Sequence, residues 1–85
     1  SVSVEVETYR PFFVLGEVNT PGQFAYVNDL TGRRAIAIAG GFTPRAVKRE
    51  MEITRTIDGR VVAARVPIDY PVQPGDSVKV IERWF

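Results

Sequence analysis

Gly16-Glu17-Val18-Asn19-Thr20-Pro21-Gly22, followed by Ala35-Ile36-Ala37-Ile38-Ala39-Gly40-Gly41-Phe42-Thr43-Pro44, decides how this chain folds. The first stretch reads as a strand running into a tight turn. Pro21 presets φ for the second position of a turn, and Gly22 can take the positive φ that a type II turn needs next. The second stretch reads as a short helix closed by a glycine pair. Gly40 or Gly41 can adopt the left-handed conformation that ends a helix, and Pro44 blocks its continuation.

Working outward, residues 12–18 form a near-continuous apolar run, expected as a strand buried on both faces. Residues 23–27 alternate Phe24 and Tyr26 against Gln23 and Ala25, so the Pro-Gly turn makes the two runs a hairpin. Thr31 stands where an N-cap belongs, its hydroxyl available to the first free N–H groups of a helix over residues 32–39. Leu30, Ala35, Ile36 and Ala39 supply its buried stripe. Two choices there go against local preference. Gly32 costs about 1 kcal/mol relative to alanine in a helix, and Arg33 and Arg34 put positive charge at the positive end of the helix dipole.

Further on, Met51, Ile53 and Ile57 share one parity of a strand and Glu52, Thr54 and Thr56 the other, with Arg55 on the apolar parity. Asp58-Gly59 is a two-residue hairpin signal leading into residues 61–66. Pro67, Pro71 and Pro74 make the next segment irregular, and Pro74-Gly75-Asp76 turns the chain into a last strand over residues 77–82. A helix after a hairpin needs a sheet to cover, and a right-handed crossover sets the last strand parallel to the first. The expected fold is α+β: a β-grasp, with a mixed sheet of four or five strands covering one short helix.

Eighty-five residues make one domain. Composition, 45% hydrophobic and 25% charged, is that of a globular chain. There is no cysteine, hence no disulfide, thiolate nucleophile or cysteine zinc site, and no apolar run approaches the ~18 residues of a membrane span. A net charge of +1 argues against a dedicated nucleic-acid binder. Charge is unevenly spread, however. Residues 1–30 carry Arg10 against Glu5, Glu7, Glu17 and Asp29, whereas residues 31–55 carry Arg33, Arg34, Arg45, Lys48, Arg49 and Arg55 against Glu50 and Glu52.

Chemistry finds little to work with. The sequence has no histidine, which removes the usual base near neutral pH and the commonest metal ligand. Ser1, Ser3 and Ser77 lie in no nucleophile elbow, and the carboxylate pairs Glu5/Glu7 and Glu50/Glu52 have the spacing of any exposed acidic strand face. Gly40-Gly41 ends a helix instead of opening one, so it is no phosphate cradle. No catalytic residue, metal ligand or cofactor is expected. Binding remains. Tyr26, Tyr70 and Trp84 border turns and are expected to be partly exposed, where an aromatic with an arginine nearby suits a sugar ring or another subunit.

The GEVxxPG motif (Gly16 to Gly22), the helix ending AxAGGxT (Ala37 to Thr43) and the late Pro74-Gly75-Asp76 turn resemble the soluble-ligand-binding β-grasp (SLBB) domain of bacterial outer-membrane polysaccharide export proteins. The resemblance runs over residues 9–85, leaving residues 1–8, with Val2, Val4 and Val6 alternating, as the tail of a preceding domain or a linker strand. It implies a non-catalytic periplasmic domain, associated with the outer membrane, in a channel that exports capsular or exopolysaccharide. There it would scaffold a homo-oligomeric ring and line the polymer path, alongside an inner-membrane chain-length regulator of the tyrosine-kinase type. The alternative is a module binding a small soluble ligand or a glycan, which needs a concave apolar pocket. The family usually has an apolar residue after the helix cap and often an acidic one near the third helical position; this chain departs at both. The charge split leads to one further expectation: Arg33, Arg34 and Arg45 of one copy meet Glu5, Glu7 and Glu17 of the next. Trp84 and Phe85 are expected to pack on the domain's own edge, an adjacent domain or the membrane interface.

Overall fold

The computed structural model describes residues 8–84; the expected strand through Val2, Val4 and Val6, with Glu5 and Glu7, lies outside them, as does Phe85. The elements in chain order are β1 (Phe12–Gly16), β2 (Gly22–Phe24), α1 (Gly32–Ile38), β3 (Glu50–Ile57), β4 (Arg60–Pro67) and β5 (Ser77–Val80). They form one five-stranded mixed sheet in the order β2-β1-β5-β3-β4 and one helix, an α+β architecture. β1 and β5 run parallel at the centre, as the crossover argument requires, with Val14 beside Val78.

One face of the sheet is the core. Phe12 and Val14 of β1, Met51 and Ile53 of β3, and Val78 and Val80 of β5 are all buried, joined by Leu30, Ala35, Ile36 and Ala39 from the helix region and by Ile68 and Val72. The anticipated helical stripe is therefore correct. β1 is shorter than expected and buried on one face only: Leu15 is 46% exposed. Gly16 ends it because its φ of +83° and the Val80 carbonyl against it leave no room for a side chain. The last strand likewise stops at Val80, short of residue 82.

The Pro-Gly turn also differs from expectation. Gly22 has a φ of +156°, far from the roughly +80° of a type II turn, and already belongs to β2. The reversal is made before Pro21, by Asn19 and Thr20, whose N–H groups donate to the carbonyls of Gly41 and Ala39. The loop is thus tied to the helix end and not closed on itself.

The helix ends behave as read. Thr31 Oγ1 accepts from the Arg34 N–H at 3.3 Å, and Gly40 and Gly41 both take positive φ. Their N–H groups donate to the Ala37 and Ile36 carbonyls, the paired bonds that satisfy a helix C-terminus. The Asp58-Gly59 hairpin is also present, with Ile57 opposite Arg60 and positive φ at both turn residues. Gly32 has a tertiary cause: a Cβ there would run into the Met51 side chain and the Ile68 carbonyl.

Candidate functional site

The most constrained polar feature is an ion pair inside the sheet face. Arg55 sits on the apolar parity of β3, and its Nη2 lies 2.8 Å from Asp76 Oδ2. Its Nε donates to Asp76 Oδ1 at 3.0 Å and Nη2 also reaches the Pro71 carbonyl at 3.2 Å. Asp76, only 1% exposed, additionally accepts from the Gln73 N–H at 2.7 Å. These bonds to Asp76 hold the Arg55 guanidinium above its ordinary value, against the opposing effect of burial. The cation therefore stays charged at any physiological pH. Its carbon lies 5.9 Å from the Tyr70 ring centre, and Ile57, Val62 and Ala64 extend the surrounding wall of a small cavity of about 80 Å³. The pair joins the β3–β4 hairpin to the turn before β5. It is structural: sequence reading placed Asp76 in a turn and noted Arg55 on the wrong parity, but did not put the two together.

The expected interface residues are dispersed. Arg33 is exposed and donates from Nε to Asp69 Oδ1 at 2.8 Å, so its charge at the helix start is answered within the chain. That hydrogen bond lowers the Asp69 carboxyl below its ordinary range and raises Arg33. Arg45 lies 3.6 Å from Glu82, and Glu17 Oε1 accepts from the Thr43 hydroxyl at 2.9 Å. Arg34 is exposed on the helix. The charges proposed for the contact between copies are thus partly engaged at home, while Glu5 and Glu7 lie outside the described residues.

Among the aromatics, Tyr26 is half-buried and donates to the Val72 carbonyl at 2.8 Å, with the Tyr9 ring edge-on to it. Tyr70 is 40% exposed and Trp84 84%. Trp84 consequently does not pack on this domain's own edge; it stands beside Arg45, Glu82 and Arg83 over a concavity of about 290 Å³. A concavity of about 340 Å³ mixes the charged Arg49, Glu50 and Arg65 with the apolar Val47, Val66 and Pro67. Among the described residues no group of three or more potential ligands could hold a metal ion, and no helix is long and apolar enough to cross a membrane.

What sequence reading missed is the exposure of the hairpin. β4 is an edge strand, and along it Val61 is 72% exposed. The apolar run over residues 61–66 signalled a strand, but nothing local says what lies beside it.

The sheet and helix of the described residues, with the largely charged surface around them, define a small α+β domain. The chain belongs to the SLBB domain family, whose model matches residues 11–64. It is similar to the exopolysaccharide production protein ExoF of Rhizobium meliloti (strain 1021), 46% identical over 41 residues. That stretch is 48% of this chain and 10% of that relative's length.

Proposed function

We propose that this chain is a non-catalytic β-grasp module of an exopolysaccharide export machine, acting in the periplasm in association with the outer membrane. There it holds copies of its parent protein together and lines the path of the polymer. The observation that carries this reading is the 46% identity to a protein named for exopolysaccharide production, within an SLBB match. The surface supports it: among the described residues β2 and β4 lie at the two edges of the sheet and charged side chains such as Arg33, Arg45 and Arg65 are exposed, which suits contact with a neighbouring molecule. Partners on this reading are further copies, the polysaccharide, and an inner-membrane chain-length regulator.

The test is in-frame removal of residues 8–84 from the gene in the organism that encodes it. Polysaccharide in the medium should fall while lipid-linked or intracellular polymer accumulates. Secretion at the parental level would refute the proposal.

Trp84 favours a second reading, a glycan-binding module. An indole this exposed, next to Arg45 and Glu82, could stack on a pyranose ring. Titration with the organism's own oligosaccharide should then change the tryptophan emission, and an unchanged spectrum removes this reading.

A further inference from the structure

The two edges of the sheet are complementary to each other. β1 and β5 are parallel, β2 is antiparallel to β1, and β3 and β4 alternate from β5, so β4 and β2 run in opposite directions at opposite ends. A second copy translated along the sheet therefore meets β4 with its β2 in an antiparallel sense, without reversal.

The backbone groups match. In a two-residue hairpin Ile57 and Arg60 exchange hydrogen bonds, and farther along the Ile68 N–H donates to the Arg49 carbonyl at 3.2 Å. Even-numbered residues of β4 thus face β3, and Val61, Ala63 and Arg65 offer their N–H and C=O groups outward. On the other side, the Phe13 and Glu17 N–H groups donate to β5 and its approach, so Phe12 and Val14 face β2 and their partners Phe24 and Gly22. Gln23, between them, is left with its N–H and C=O pointing outward. Placing Ala63 opposite Gln23 of the next copy lets the two exchange both hydrogen bonds. The same register sets Arg65 opposite Pro21, whose carbonyl accepts the Arg65 N–H while the Arg65 carbonyl, facing a residue with no N–H, is left to water.

Side chains then fall on the correct faces. Val62 comes beside Phe24 of the next copy and Arg60 beside its Tyr26, all on the face that carries each copy's core. Charge agrees too: Arg65 of β4 is answered within its own copy by Glu50 at 3.4 Å, which leaves Arg60 as the strand's free cation among the described residues, while residues 19–29 carry Asp29 with no cation.

We propose that copies of this domain join head to tail by adding the β4 edge of one to the β2 edge of the next, making a continuous sheet. Such an unlike-edge contact closes into a ring when the rotation fits. The contact deepens the scaffolding reading and rests on it only in requiring that copies meet.

The chain has no cysteine, and Gln23 and Ala63 are both exposed, so each tolerates a probe. In the intact protein, with any cysteine outside this segment replaced by serine, Q23C together with A63C should give a ladder of disulfide-linked dimers and higher species on oxidation. Each single variant, and A63C combined with K48C, should stay uncross-linked. No ladder in the Q23C/A63C protein, an equal ladder with K48C, or dimers from A63C alone would each overturn the proposal; the last would mean two-fold pairing through β4. A ladder in cells whose secretion survives removal of residues 8–84 would keep the contact and reject the export role.

Discussion

At Gly32 two energies oppose each other. Alanine would gain about 1 kcal/mol of intrinsic helix preference, but its Cβ would meet Met51 and come within 2.5 Å of the Ile68 carbonyl. Backbone cannot step aside as a flexible side chain can, and overpacking costs about 1–3 kcal/mol. Gly32→Ala should therefore lower the denaturation midpoint despite being the better helix former. Arg55 sets up a second case. Removing one partner of a buried pair leaves an uncompensated charge, at about 3–5 kcal/mol. Because the Arg55 side chain keeps 20% of its exposure, Arg55→Met should cost about 3 kcal/mol, the lower end, read from chemical denaturation. A cost below about 1 kcal/mol would mean that Asp76 finds water or another donor.

Between elements, the Arg33–Asp69 bond fastens the first turn of α1 to the segment after β4, next to the Arg33 N–H bond to the Ile68 carbonyl at 2.7 Å. Asp69 is lowered mainly by its hydrogen bond from Arg33. The sign follows: a depressed carboxyl stabilises the fold above its unfolded value, near 3.9, and that contribution fades as pH falls through the folded value. An NMR titration of the Asp69 carboxyl should show a midpoint below that of an ordinary aspartate, returning to it in Arg33→Met. An unshifted midpoint in the parent chain would show that the pair is not held in solution. Helix start, glycine stop and Asp58-Gly59 hairpin were all legible in the sequence, because each depends on residues close along the chain. The Pro21-Gly22 reversal was misread for the opposite reason: bonds from Asn19 and Thr20 to the distant helix end shape that loop.

For the molecule as a whole, the exposed surface carries the consequence. Trp84 is the single tryptophan, and at 84% exposure it should emit at the long wavelength of an indole in water when this domain is studied alone. In the assembled protein a blue shift would show that a neighbour covers it. A blue-shifted emission from the isolated domain would contradict the position described for it. Trp84→Ala should leave the domain's own stability within about 0.5 kcal/mol, as surface changes usually do.

The sequence by itself determined the order and type of the elements, the parallel pairing of the first and last strands, and the residues of the helical stripe. These rest on side-chain period, capping and turn chemistry, which act over a few residues. Only the tertiary structure decided that Arg55 meets Asp76, that Gly32 is required by Met51 and Ile68, and that Arg33 and Arg45 already have partners. It also decided that β4 is the outermost strand of the sheet among the described residues. Each of these joins residues far apart in the chain, and which strand lies outermost is a property of the packed sheet that no local pattern encodes.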